Sequence, residues 1–280
     1  MGAFPERVTL GRSGLSVGPL AMSGGYGADK ASLLKAFDHG VNYWYHGSRR
    51  APGMTDAIRE LVAAGKRDEL AIVLQSYSRS GLLMEKTFAM GLRKLKIDHA
   101  DVLLLGWYNH GAPAGVLEAA LRMREKGMFK ALSVSCHHRP SFVDYAKTRD
   151  YDILQIRYNA VHTGAERDTF PPMKDALAAA GLERPGTVAY TATRWGSLLD
   201  PKAVPDGETP LRGRDCYRFA LSNPDIDVCM SGPADAAQVD EALMALKDGP
   251  ISTDEDERFR RIGQYIHDHD KSVRSFWAGN

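Results

Sequence analysis

The stretch RKLKIDHADVLLLGW, residues 93–107, contains a change of period that decides the fold. Up to Leu95 it completes an apolar stripe, Met84, Phe88, Leu92 and Leu95, with the spacing of one helix face. From Asp101 it becomes a compact apolar run ending at Leu105, which reads as a buried strand. The same alternation extends in both directions. Strands are predicted over residues 17–22, 41–45, 70–75, 101–105, 131–135, 153–157, 187–190 and 227–230, with helical segments between them. Val239, Ala242, Leu243 and Leu246 form a second helical stripe, and Phe259, Ile262, Gly263 and Ile266 mark a further helix after the eighth unit. Gly40 and Gly127 stand where helix ends need positive φ, and Pro140 and Pro171 where helices begin. A hairpin is predicted around residues 11–14. Alternating strands and helices imply parallel strands with right-handed crossovers. Eight such units fit a closed (β/α)8 TIM-type barrel better than an open sheet. No GxGxxG follows the first strand, so the Rossmann fingerprint is absent.

At about 150 residues per domain, a chain of 280 residues would divide in two. The eight units instead predict one barrel domain over residues 1–280, with residues 196–214 as a loop over its mouth. Lys and Arg number 36 against 35 Asp and Glu, a net charge of +1. That balance argues against a nucleic-acid partner, which needs a basic surface, and against a polybasic membrane-surface protein. Cys136, Cys216 and Cys229 lack CxxC spacing and cannot build a disulfide framework. The N-terminus has no apolar signal core, Glu6 breaks the myristoylation pattern, and no apolar run approaches the ~20 residues of a bilayer span. A cytoplasmic protein is expected, with a small-molecule ligand in the barrel mouth, and the sequence leaves its oligomeric state open.

Barrel enzymes place their chemistry on loops after the strand C-termini. Here those ends carry Tyr45, His46, Arg49 and Arg50; Gln75, Tyr77 and Arg79; Gly106, Trp107, Tyr108 and His110. Further on come Cys136, His137, His138 and Arg139, then Arg157, Tyr158 and His162, and finally Thr191, Arg194 and Trp195. The histidines form no HxH or HxxxH motif with a partnering carboxylate, so no metal site is expected. Cys136 beside His137 suggests a nucleophile–base pair, but strand-end neighbours tend to point oppositely, and a buried inert thiol is the simpler reading. Arg49, Arg50, Arg79, Arg139, Arg157 and Arg194 come from several strand ends. They read either as a positive pocket for a carboxylate or phosphate, or as solvent-facing residues paired with nearby acids.

With these segments in place, the chain resembles the aldo-keto reductases over nearly its whole length. The resemblance is carried by LGRSGL at 10–15, GVNYWY at 40–45, RDELAIVLQS at 67–76 and the opening stretch at 93–107. It continues through KGMFKALSVS at 126–135, YDILQIRYN at 151–159, VAYTATRWG at 188–196 and SNPDIDVCMSGP at 222–233. It implies an oxidoreductase barrel in which NAD(P)H gives hydride and a Tyr, tuned by a Lys–Asp pair and accompanied by a His, gives a proton to the carbonyl. At the matching positions this sequence has Tyr45 for the Asp, Arg50 for the Tyr, Gln75 for the Lys and Gly106 for the His. The resemblance further implies Ser135, Gln155 and Tyr190 at the nicotinamide end of an NAD or NADP site, with Cys136 in place of an Asn. No Lys or Arg follows the eighth strand before Lys247, which argues against recognition of a 2′-phosphate.

The candidate reacting centre is therefore Tyr45, Arg50, Gln75 and His137, with Arg50 as electrostatic stabiliser and Tyr45 as acid. Three readings follow. One is an enzyme with an atypical active site acting on a small anionic or aromatic substrate, with or without a nicotinamide cofactor. The second is an ordinary carbonyl reductase with a relocated proton donor, and the third a non-catalytic ligand-binding protein on the same scaffold.

Overall fold

A computed structural model of the chain describes residues 2–47 and 50–269. The hairpin forms from β1 (Val8–Thr9) and β2 (Ser16–Val17). The alternating units then run β3 (Leu20–Ser23), α1 (Lys30–Asp38), β4 (Tyr43–Tyr45), α2 (Pro52–Ala63), β5 (Ala71–Ser76), α3 (Gly81–Leu95), β6 (Ala100–Leu105) and α4 (Ala114–Glu125). They continue with β7 (Phe129–Ser135), α5 (Ser141–Lys147), β8 (Ile153–Arg157), α6 (Ala165–Asp168), α7 (Phe170–Ala180), β9 (Gly186–Tyr190), α8 (Gly213–Leu221), β10 (Val228–Ser231) and α9 (Ala236–Asp248). The terminal helix is α10 (Thr253–His269). Strands β3 to β10 pair in parallel, each with the next, and β10 returns to β3 to close an eight-stranded barrel.

Most strand boundaries shift by a residue or two from the sequence reading, and the largest departure is in the first strand. The expected run 17–22 divides at Gly18 and Pro19: Val17 pairs back onto the hairpin, and the barrel strand starts at Leu20. Pro19 has no N–H to offer a ladder, so pairing lapses there. The hairpin caps the barrel floor. Its Leu10 and Val17 join Ala21, Tyr43, Val73, Val102, Ile153 and Val188 in the lumen core. A Cβ on Gly11 would lie 2.0 Å from the Gly186 nitrogen, so only glycine fits this contact.

Period-2 alternation turns the remaining strand residues outward against the helices, whose apolar stripes meet them. Met84, Phe88, Leu92 and Leu95 of α3 are all buried there. Phe259, Ile262, Gly263 and Ile266 are buried on α10. A Cβ at Gly263 would meet the Ala160 carbonyl at 2.0 Å, so α10 lies close against the loop that follows β8. No helix among the described residues is long and apolar enough to cross a membrane.

Four polar side chains at the barrel floor tie the strands in pairs. Asn42 Oδ1 accepts from the Gly18 N–H at 2.9 Å, beside the β3–β4 pair. Asp101 accepts from Ile72 across β5–β6, Asp152 from Leu132 across β7–β8, and Asp227 from Thr187 across β9–β10, each at 2.8 Å. Asp101, 2% exposed, also takes Arg67 and Lys130, both at 2.9 Å. Asp101→Ala removes the acceptor of a buried N–H and leaves the part-buried Arg67 without its counter-charge. It is expected to lower stability by about 3–5 kcal/mol, and Asp101→Asn by less, as measured by urea denaturation. A loss of under about 1 kcal/mol for the alanine variant would show that the clamp is dispensable.

Candidate functional site

A cavity of about 630 Å3 opens at the C-terminal ends of the strands. Leu104 and Met230 of the lumen core reach it from within the barrel. Its walls come from lumen-facing positions: Tyr45 on β4, Gln75 on β5, Ser135 at the end of β7, Gln155 on β8 and Tyr190 on β9. Strands β4 and β5 stand opposite β8 and β9 in the barrel order. Two groups of candidates therefore face each other across the cavity.

On the first wall, the Tyr45 hydroxyl donates to Gln75 Oε1. Burial raises the Tyr45 phenol well above its ordinary value, and the phenols of Tyr77 and Tyr26 lie near it and act in the same direction. This phenol stays protonated. The Gln75 amide presents Nε2 on its other side: a Cβ built on Gly106 would lie 2.5 Å from that nitrogen and 2.6 Å from the Tyr77 ring. A larger side chain at position 106 would have to displace the Gln75 amide and the Tyr77 ring.

On the second wall, the buried Tyr190 hydroxyl makes no hydrogen bond, and the Nε2 of Gln155, which is 4% exposed, has the Tyr43 phenol beside it but no well-formed bond. Ser135 Oγ accepts from the Trp107 N–H at 3.1 Å, which leaves its own proton to donate. Buried donors without partners are rare in proteins, and donors lining a cavity await a ligand or water.

His137 also lines the cavity, its ring 5.1 Å from that of Trp107, and its backbone N–H donates to Asn109. Burial and then Arg157 push its pKa down to about 4, so it is neutral near pH 7. Tyr26, Tyr77, Trp107 and Trp195 form an exposed aromatic rim on the same cavity. Trp107, Thr191 and Trp195 hold φ values of 65°, 56° and 52°. For a β-branched or bulky residue that backbone costs about 1–3 kcal/mol and tends to gather at functional sites. The Asn159 side chain donates to the Thr191 carbonyl at 2.8 Å and braces this turn.

Of the candidate reacting centre, then, Tyr45, Gln75 and His137 meet at the cavity, whereas Arg50 is exposed and is not among its lining residues. Arg49 lies outside the described residues. None of the other strand-end arginines lines the cavity. Arg79 donates to the carbonyls of Gly106 and Trp107 and lies over the Tyr108 ring, and Arg139 pairs with Asp168 at 2.8 Å. Cys136 is buried in the outer core, with Sγ donating to the His138 carbonyl and its thiol pushed up to about 12; no Cys–His nucleophile forms. Among the described residues no cluster of three or more His, Cys, Asp or Glu could hold a metal.

The sequence reading passed over the end of β3 and weighed the segment after β10 only for a phosphate-binding cation; these ends also supply walls, Tyr26, Gly232, Ala234, Gln238 and Glu241. The strand-end rule that found the others would have found Tyr26, three residues past Ser23. Glu241 is the one carboxylate among the lining residues, and no Lys or Arg is among them.

His46, another strand-end histidine, is a packing residue. Thr55 Oγ1 gives its proton to the Ala51 carbonyl at 2.8 Å, so the Nε2 of His46, 2.9 Å away, must be the donor. The ring is neutral, its pKa pushed from 6.5 down to about 4, chiefly by burial. The folded state therefore binds fewer protons than the unfolded state between these values, and stability falls as pH drops through that window. The full loss below pH 4 is about 3 kcal/mol. Urea midpoints compared near pH 7 and near pH 4.5 should fall further for the wild type than for His46→Gln. Parallel falls would remove His46 from the acid response.

No family model matches the sequence, and no curated protein matches it. Solved structures do match. An aldo/keto reductase from Klebsiella pneumoniae, in complex with NADP and acetate, is 18% identical with a TM-score of 0.71, covering 93% of this chain and 96% of its own. An aldo-keto reductase from Bacillus halodurans matches in its holo form at 15% identity and in its apo form at 17%. Both have a TM-score of 0.71 and cover 96% of this chain and 99% of theirs. The chain has the aldo-keto reductase fold.

Proposed function

We propose that this barrel is a nicotinamide-dependent oxidoreductase acting at the carbonyl or alcohol carbon of a small aromatic or anionic compound, through an atypical active site. The observation that carries the reading is the unpartnered buried Tyr190 hydroxyl beside the Gln155 amide and Ser135 on one cavity wall. An amide and an aromatic ring at these positions fit the carboxamide and the ring of a nicotinamide, as the resemblance to aldo-keto reductases implies. Bound there, the cofactor supplies or accepts hydride.

The opposite wall handles the substrate oxygen. In aldo-keto reductases this wall carries an Asp, a Lys and a His; here the first two are replaced together by a neutral hydrogen-bonded pair. Tyr45 commits its proton to Gln75 Oε1 and so aims Gln75 Nε2 into the space beside Gly106 where the third would stand. The amide N–H stabilises negative charge on a carbonyl oxygen without surrendering a proton. His137, neutral near pH 7, is no acid. The proton then comes from water, and turnover runs about 10²–10⁴-fold below what a tuned acid delivers. The aromatic rim favours a flat substrate.

The pocket's charge selects between cofactors. With Glu241 and no Lys or Arg among its described lining residues, the cavity disfavours a 2′-phosphate. Titration followed by the fluorescence of Trp107 and Trp195 is expected to give NADH at least about tenfold tighter than NADPH. Saturable binding of neither nucleotide would overturn the reading. In a steady-state assay with benzaldehyde and NADH, Gln75→Ala should lower kcat by about 10²–10³ while leaving the NADH Kd unchanged. An unaltered kcat would remove Gln75 from the chemistry.

A further inference from the structure

Arg157 is the last residue of β8, two positions beyond Gln155 and four beyond Ile153. Period-2 alternation therefore places it on the lumen side, beyond the lining residue Gln155, although Arg157 is not itself among the residues that line the cavity. The register pairs it with Tyr190 of β9. On its other side Ser135 pairs with Gln155, so His137 lies at the matching level beyond β7. Tyr190 and His137 both line the cavity. Arg157 thus stands between two of its walls.

What surrounds it is unusual for a half-buried guanidinium. The charged groups around it are Arg194 and Arg139, with no carboxylate beside it among the described residues. His137 and His162 feel it as well, and both are driven strongly toward the neutral state. His162 is 9% exposed, and its Nε2 has no hydrogen-bond partner. Arg139 is already held by Asp168, which leaves that carboxylate engaged elsewhere. The other strand-end arginines with known partners are spent on carbonyls or ring faces. A guanidinium removed from water and crowded by like charges is stable only where an anion completes it.

We infer that Arg157 holds the carboxylate of a small-molecule ligand at the rim of the cavity, between His137 and Tyr190. The planar fork of a guanidinium matches a carboxylate in a two-point contact, and the aromatic rim beside it suits a flat body attached to that group. This substrate class rests on the proposed function's premise that the cavity is a ligand site, but it does not depend on the cofactor.

Benzoate and its neutral isostere benzamide probe it directly in the full-length protein, by fluorescence titration with and without NADH. Benzoate should bind at least about tenfold more tightly than benzamide. Arg157→Gln should abolish that preference and leave the NADH Kd unchanged, while Arg157→Lys keeps part of it. Equal binding of the two probes by the wild type, which needs no variant, would overturn the inference. So would a benzoate preference that survives Arg157→Gln in a variant with wild-type circular dichroism. A loss of NADH affinity with benzoate binding intact would also overturn it, by assigning Arg157 to a cofactor phosphate. Arg157-dependent benzoate binding without any NADH binding would uphold the inference while the cofactor reading fails.

Discussion

The barrel depends on a side-chain acceptor that recurs at its floor. Asn42, Asp101, Asp152 and Asp227 each stand at the start of an alternate strand and take a backbone N–H from the preceding strand or its lead-in. In a parallel ladder a slip of one residue would exchange every lumen side chain for a helix-facing one. A short, buried, charge-assisted contact at the strand entry resists that slip. The three aspartates also recruit cations, Arg67 and Lys130, Arg124, and Arg184, that neutralise them where they are least exposed to water. With the register held in four strand pairs, the residues at the other end of each strand are assigned to the lumen. The site at the mouth is thus a consequence of the pairing at the floor.

What that lumen contains near its mouth is a neutral hydrogen-bonded pair, Tyr45 and Gln75. An ion pair in the barrel would have to offset the desolvation of two charges. Tyr45 and Gln75 meet the same geometric need, two groups from neighbouring strands locked together, without that cost. Among the described residues no cation lowers the pKa of Tyr45, and burial raises it, so the hydroxyl stays protonated. Gln75 Nε2 and the Tyr77 ring occupy the space beside Gly106. On the other side of the mouth Arg157, Arg139 and Arg194 gather around β8.

Much of this was legible in the order of residues. The eight strands and the terminal helix follow from periodicity, and the structure shifts most of their boundaries by a residue or two; only Pro19 divides an expected strand. Tyr45 and Gln75 were identifiable because they sit at strand C-termini, and Ser135, Gln155 and Tyr190 through the resemblance to aldo-keto reductases; the structure places all five on one cavity. The arginines resisted such a reading. A long, flexible side chain on a loop is not directed by strand parity, so Arg50 and Arg79 turn to solvent or to carbonyls while Arg157, still within its strand, does not.

The sequence by itself determined the barrel, the direction of its strands and the end at which its site would lie, because hydrophobic period and strand parity are local properties of the chain. Only the tertiary structure decided which candidates act together. The Tyr45–Gln75 bond joins residues 30 positions apart, and the crowding at Gly106 joins side chains of two strands. That Arg157 meets no carboxylate among the described residues depends on the elements packed around the mouth. Such pairings are set by distances across the closed barrel, which exist only once the eighth strand has met the first.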